Sequence, residues 1–168
     1  YAAQGADELK GWELAVDHIN EGHELMKKFA PKLDKGLLGK KVKLLSADSA
    51  AKPNNAVQAE QTFINQNKII LMTGSTSSAV AVALNKFAQR EHGLYVTGIS
   101  GSNDTTGKDC VRYGFRQNFY GETAANAVGP VLVKAYGKNK KAAFITPDYT
   151  YGHTVTKSVN DYLTKNGG

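Results

Sequence analysis

One segment of the sequence most constrains how this chain can fold. In it, a short apolar run is followed by a glycine, a cluster of hydroxyl residues and then a helix pattern. The run at 69–72 predicts a buried strand that ends at Gly74, and hydroxyl side chains fill positions 75–78. The segment 79–91 then repeats apolar residues at helical spacing. A helix that begins directly after a strand presents free backbone N–H groups at the positive end of its dipole. We therefore predict an anion site here, and because the loop has no lysine it favours a carboxylate over a polyphosphate.

Strand patterns and helix patterns alternate along the whole chain. Further strands are predicted at 42–47, 94–97 and 142–146, and helices at 6–20, from Pro53, at 121–136 and at 154–165, with a short helix and a loop within 24–35. Pro130 is expected to kink its helix or to begin a new one. This alternation of short continuous apolar strands with helices is typical of an α/β fold whose parallel sheet is covered on both faces. Ligands bind such sheets beyond the carboxyl ends of the strands, where the loops 74–78, 98–106 and 147–152 lie.

Composition and charge exclude several classes of function. The 168 residues carry a formal net charge of +6, with lysines in short clusters near turns and no concentrated patch with interleaved aromatic residues. Such a distribution is typical of a solvated surface, so we predict no nucleic-acid partner. No apolar run approaches the roughly 18 residues of a membrane span. The four histidines are scattered without an H-x3-H pair beside a carboxylate, so neither a metal nor another cofactor is predicted.

Cys110 is the single cysteine of the chain, which excludes an internal disulfide and a cysteine zinc site. Two interpretations stay open. Cys110 is either a lone buried thiol or one half of a disulfide whose partner lies outside this segment.

No catalytic set is evident in the sequence. The run 74–78 lacks the second glycine of a nucleophile elbow, and neither a Walker motif nor a G-x-G-x-x-G follows a strand. Ser78 has no histidine base that the sequence makes evident, so we predict a protein that is not an enzyme. A hydrolase or transferase that uses Ser78 is the rival hypothesis, and it requires a positioned base.

Each candidate residue also fits an ordinary structural role that involves no ligand. Ser77 and Ser78 fit plain helix N-capping, although one serine can cap while the next faces a ligand. Asp104 and its neighbouring threonines fit a turn. Tyr149 and Tyr151 fit ordinary half-buried tyrosines, but Tyr151 follows a predicted strand beside a glycine, which favours a ligand role.

Six segments together carry a resemblance to a known family. They are GWELAVDHIN, LLGKKVKLLSADSAAKPNNAV, TGSTSSAVAVAL, SGSNDTTG, YGFRQNF and FITPDYTYG. In this order and near this spacing they resemble the substrate-binding proteins of branched-chain amino-acid type ABC transporters, the type I periplasmic binding proteins. The resemblance covers essentially the whole chain, and its specificity lies in the ordered set.

The resemblance implies two Rossmann-like α/β lobes with parallel sheets that close on a ligand. Because the family's backbone crosses between lobes just after the FR pair, residues 1–117 are expected to form lobe one and 118–168 the start of lobe two. Family members open with an apolar strand before the position of Tyr1 and continue well past the position of Gly168. The chain is therefore expected to be an incomplete portion of that architecture.

The resemblance also assigns ligand-binding residues. Ser78 is expected to bind the ligand carboxylate, with Ser77 beside it. Ser102 is expected to add a hydroxyl and backbone N–H groups, with Ser100 and Gly101 beside it, and Tyr151 is expected to line the cleft from the other lobe.

The function implied is that of a solute receptor that captures an amino acid or related small carboxylate by hinge closure and delivers it to the membrane permease of an ABC importer. The implied location is the periplasm, or the cell exterior as a membrane-tethered lipoprotein. The alternative is a ligand-sensing regulatory domain of the same fold that signals to a partner protein. Fold alone does not separate the two.

Overall fold

A computed structural model describes residues 2–31, 33 and 35–167 of the chain. These residues divide into two compact units, one up to Ala47 and the other from Asp48 onward. The helices are α1 (Ala2–Glu21), α2 (Glu24–Phe29), α3 (Pro53–Asn67), α4 (Ser78–Glu91), α5 (Gly121–Tyr136) and α6 (Thr150–Lys165), and the strands are β1 (Leu71–Gly74), β2 (Leu94–Thr97) and β3 (Gly114–Arg116). A 3-10 turn spans Asn103–Thr105. Among the described residues, no helix combines the length and the apolar character that crossing a membrane requires.

The first unit contains α1 and α2 and a segment that the sequence predicted to be a strand. Residues 42–47 belong to no strand, so that prediction is wrong. The side-chain amide of Asn20 binds both backbone groups of Val42, donating to its carbonyl at 2.9 Å and accepting from its N–H at 2.7 Å. A strand needs a neighbouring backbone to pair with, and here a side chain takes that place for one residue.

The second unit contains a three-stranded parallel sheet in the order β1-β2-β3. The register places Met72 beside Tyr95 and Tyr95 beside Gly114. This confirms the predicted parallel sheet and the α/β class. The strand β3 was not predicted because its three residues, GFR, form no apolar run. The predicted strand at 142–146 is wrong, since those residues are assigned to no strand and Ile145 is fully exposed.

Helices α3 and α4 supply the core of the second unit. Met72 and Tyr95 from one face of the sheet cluster with Val80, Leu84 and Phe87 of α4, all almost fully buried.

Gly114 lets α4 approach β3, because a Cβ at that position would lie 2.3 Å from the Asn85 Oδ1 atom. Alternation along the strands puts other apolar side chains on the opposite face, and three of them are about half exposed: Leu71 (45%), Leu94 (46%) and Phe115 (50%).

Helices α5 and α6 pack against each other at a glycine. The ring of Tyr162 lies so close to Gly129 that an added Cβ would meet its Cδ1 atom at 2.2 Å. Pro130 lies inside α5, which continues as one helix from Gly121 to Tyr136. The prediction of a new helix at the proline is therefore wrong, while the predicted bounds of this helix are confirmed.

Candidate functional site

The junction between β1 and α4 has the tight geometry that its glycine and serines allow. Gly74 (φ 109°) and Ser75 (φ 80°) both adopt the left-handed region and turn the chain from the strand into the helix. The Ser75 hydroxyl donates to the Ser77 carbonyl at 2.8 Å. Ser77 occupies the N-cap position without a side-chain capping bond, so the bland prediction of side-chain capping is not met there.

Ser78 connects this junction to the loop that follows β2. Its side chain is 1% exposed, and its Oγ accepts the backbone N–H of Ser102 at 3.2 Å. A serine hydroxyl has one proton to donate besides its lone pairs, and this bond uses a lone pair. The Ser78 hydroxyl proton therefore remains available for an acceptor.

The loop after β2 brings three more predicted residues to the same place. Ser100 and Ser102 are both buried, and the Ser100 hydroxyl has no hydrogen-bond partner among the described residues. A Cβ on Gly101 would lie 3.1 Å from the Tyr151 ring and 3.7 Å from the Phe119 ring. Gly101 therefore sits in a narrow gap between two aromatic rings, where a larger residue would crowd Tyr151.

Helix α6 begins in direct contact with this loop. The Thr150 hydroxyl lies 2.8 Å from the Ser102 Oγ atom and donates to the Asp104 carboxylate. Asp104 also forms an ion pair of 3.1 Å with Lys108. We call this set of hydroxyl contacts between the loop and α6 the hydroxyl seam. The Tyr151 ring, one residue further along α6, lies against Gly101 of the same loop.

Asn103 extends the hydroxyl seam to two helices. Its Nδ2 donates to the Ser158 hydroxyl of α6 at 2.8 Å, and its Oδ1 accepts the backbone N–H of Glu122 in the first turn of α5 at 3.1 Å. Its own N–H donates to the Thr154 hydroxyl at 3.3 Å. One asparagine thus joins the loop, α5 and α6.

Two side chains, one at the end of β3 and one just after it, hold the loop by its backbone carbonyls. The Arg116 guanidinium donates to the Ser100 carbonyl at 2.9 Å and to the Ser102 carbonyl at 2.6 Å. Asn118 donates to the same Ser100 carbonyl at 2.9 Å. Burial lowers the pKa of the Arg116 guanidinium, because removal from water disfavours the charged form.

The structure thus brings all six predicted site residues into one region: Ser77, Ser78, Ser100, Gly101, Ser102 and Tyr151. Sequence reasoning missed Thr150, Asn103 and Arg116, although each lies inside a segment that carries the family resemblance. A useful signal was the FR pair, since an arginine at the end of a strand can reach the carbonyls of the loop that follows the neighbouring strand.

The Ser78 side chain is hydrogen-bonded to the Ser102 N–H, and neither His92 nor His153 is bonded to it among the described residues. His92 lies beside the Tyr113 ring at 5.5 Å between centroids, and His153 pairs with the exposed Asp148 at 3.0 Å. Two hydrogen-bond donors of the region are not used by the described residues, the Ser78 hydroxyl proton and the Gly101 N–H. Such donors stabilise a bound anion.

Two other features lie outside this site. Cys110 is exposed and forms no disulfide, so the interpretation as a buried thiol is wrong, while a partner outside the segment stays a prediction. A shallow groove of about 430 Å³ runs along α3 between Asn54 and Asn65 and includes none of the predicted site residues. No group of three or more metal-ligating side chains occurs in the part of the chain that the structure describes.

Comparison with known proteins gives one family. A family model described as periplasmic binding protein matches residues 1–168. A search of curated protein sequences finds no significant match.

The chain spans less than half the length of each of three solved structures of similar fold. A periplasmic binding protein from Burkholderia mallei is 27% identical, with a TM-score of 0.72 over 77% of this chain and 34% of its own. A solute-binding protein of an ABC transporter from R. palustris, in complex with benzoate, is 25% identical, with a TM-score of 0.70 over 90% of this chain and 41% of its own. An ABC transporter substrate-binding protein from Desulfitobacterium hafniense, in complex with Leu, is 22% identical and shares the fold, with a TM-score of 0.77 over 95% of this chain and 43% of its own.

Proposed function

We propose that this chain, which belongs to the periplasmic binding protein family, is part of the solute receptor of an ABC importer. Its ligand is an amino acid or a small aromatic or aliphatic carboxylate, and its partner is the permease of that importer. It works in the periplasm or tethered outside the cell. Solute-binding proteins of ABC transporters among the similar structures support this proposal, and so does a buried serine hydroxyl between two loops at the ends of parallel strands.

The observation that carries the proposal is the meeting of two loops at Ser78. The loop after β1 and the loop after β2 lie at the carboxyl ends of neighbouring parallel strands, where open sheets bind their ligands. Ser78 uses a lone pair to hold the Ser102 N–H at 3.2 Å, which leaves its hydroxyl proton for donation to a ligand. We assign the ligand carboxylate to this proton, with Ser77, Ser100, Gly101 and Ser102 forming the wall around it.

The hydroxyl seam supplies the closing step. We assign residues 1–117 to lobe one and 118–168 to lobe two, so the contacts of Ser102 and Asp104 with Thr150 join one lobe to the other. Hydroxyl contacts of this kind exchange easily with water, since a net hydrogen bond contributes only about 0.5–1.5 kcal/mol. They therefore suit an interface that opens and closes, with Tyr151 as the side chain that covers the bound ligand.

Replacing Ser78 by alanine tests this proposal. Ser78→Ala is expected to weaken carboxylate binding by about 1.5–3 kcal/mol, because a hydrogen bond to a charged group is lost. The measurement is calorimetric titration with L-leucine and benzoate, after a thermal-shift screen of amino acids and small carboxylates. The matched control is Ser46→Ala at an exposed serine, which is expected to leave affinity unchanged. Equal affinities of wild type and Ser78→Ala would refute the assignment.

A further inference from the structure

Arg116 is a cation whose hydrogen bonds all go to one loop. Its Nη1 and Nη2 atoms donate to the carbonyls of Ser100 and Ser102, and its Nε donates to the Thr106 hydroxyl at 3.1 Å. No ion pair of the described residues includes Arg116, and its guanidinium lies 5.4 Å from the centre of the Tyr120 ring. A partly buried guanidinium is therefore held beneath the loop without a carboxylate to neutralise it.

Two carbonyls accept hydrogen bonds from Arg116. Each of them shares a peptide group with the N–H of the following residue. The Ser100 carbonyl shares its peptide group with the Gly101 N–H, and the Ser102 carbonyl shares one with the Asn103 N–H. Because the peptide group is conjugated, a charged donor at the oxygen polarises the N–H at the other end. The Asn103 N–H is used by Thr154, whereas the Gly101 N–H donates to no described residue.

We propose that Arg116 supplies the positive charge of the carboxylate site through the peptide group between Ser100 and Gly101, without touching the ligand. The guanidinium donates to the Ser100 carbonyl, and the polarised Gly101 N–H donates to the ligand carboxylate. The proposal rests on the proposed function and names Arg116 as a positioning residue of that site.

This indirect arrangement differs in ligand selectivity from a direct contact between an arginine and the ligand. A guanidinium in the site would fill it and would fix two carboxylate oxygens at once. A charge placed one peptide group away takes no room in the site, and it still favours an anion over a neutral isostere. The expected consequence is discrimination between an acid and its amide.

Asn118 provides a matched control within the chain. It donates to the same Ser100 carbonyl at the same distance of 2.9 Å, but its side chain is neutral. Replacing Asn118 removes a hydrogen bond to the loop, whereas the positive charge of Arg116 remains. Asn118→Leu is therefore expected to weaken acid and amide binding by the same factor.

The experiment compares acids with their amides in the full-length protein, with benzoate against benzamide and L-leucine against L-leucinamide as probes. Arg116→Gln is expected to weaken acid binding about 10-fold while amide binding changes by less than about 2-fold, because only the acid responds to the lost charge. Arg116→Lys, which keeps the charge but not the two-pronged geometry, is expected to restore part of the acid preference. If Arg116→Gln weakens acid and amide equally, the proposal is overturned while the proposed function stands.

A ligand-independent measurement separates the remaining outcomes. The ¹⁵N resonance and the hydrogen-exchange rate of the Gly101 amide are expected to change in Arg116→Gln and to change less in Asn118→Leu. An unchanged Gly101 amide in a folded Arg116→Gln variant overturns the relay even if affinity falls. If neither acid nor amide binds to the wild-type protein, the proposed function is refuted and this proposal with it.

Discussion

Two interfaces of the second unit differ in what holds them together. The interface of α4 with the sheet consists of apolar side chains such as Leu84, Phe87 and Tyr95, nearly all inaccessible to water. The hydroxyl seam between the loop and α6 consists of serine, threonine, asparagine and aspartate side chains. Apolar burial stabilises the first interface, whereas the polar groups of the second can exchange their hydrogen bonds with water. The same unit thus contains an apolar platform and a polar seam, and the proposed closing step uses the seam.

Truncation of the platform is expected to produce the largest effect. Phe87→Ala removes a ring that is 2% exposed, and its loss should destabilise the fold by about 3–5 kcal/mol. Denaturant unfolding measures this change. A loss below about 1 kcal/mol would show that the two interfaces do not differ as described.

A buried carboxyl on α3 gives the platform a pH dependence. Glu60 lies four residues from Ala56 and from Ile64 on the side of α3 that contributes to the core, and its Oε2 has no partner among the described residues. Burial raises the pKa of Glu60 to about 7 from 4.5. The folded state therefore binds more protons than the unfolded state between these values, so the contribution of Glu60 is most favourable below about 4.5 and is lost as the pH rises to about 7.

Glu60→Gln tests that dependence. The variant is expected to be more stable than wild type by about 1–2 kcal/mol near pH 8, after allowance for the part of the side chain that water reaches, and to show no gain near pH 4. Unfolding curves at the two pH values measure the difference. The exposed Glu13→Gln serves as control, and a gain of the same size at both pH values would argue against a buried carboxyl as the cause.

Removal of one hydroxyl from the seam is expected to have the smallest effect on stability. Thr150→Val keeps the shape but deletes the donor to Asp104 and the contact with Ser102. Stability should fall by about 0.5–1.5 kcal/mol, because the Asp104 carboxylate keeps its ion pair with Lys108 and is not left unpaired. Ligand dissociation should become faster because the closed form is less favoured. Stopped-flow dissociation kinetics checks the second part. The corresponding change Thr156→Val on the same helix is the control, and a variant that releases ligand at the wild-type rate would remove the seam from the closing step.

The sequence was informative where a pattern reports burial and helix periodicity. The bounds of β2 and α5 were predicted as observed, and α4 begins one residue before its predicted start. The segments 42–47 and 142–146 were predicted as strands because they are apolar. An apolar run indicates a preference for burial, but a strand also requires a partner whose position the run does not encode.

The candidate site was predictable where it depends on neighbouring strands and not where it depends on long-range packing. The approach of Ser78 to Ser102 follows from their places after neighbouring parallel strands, which local patterns reveal. The roles of Arg116 and Thr150 depend on how a third strand and a later helix return to the loop. Such contacts are set by tertiary packing over separations of 14 to 48 residues, so spacing along the chain gives no sign of them.

A crystal structure of the full-length protein with its tightest-binding acid tests the central claim most directly. The expected result is a carboxylate oxygen within about 2.7–3.2 Å of the Ser78 Oγ and of the Gly101 nitrogen, with the Tyr151 ring over the ligand and the Arg116 guanidinium still on the Ser100 carbonyl. A ligand bound elsewhere, such as in the groove along α3, or a carboxylate that contacts neither Ser78 nor Gly101, would contradict it.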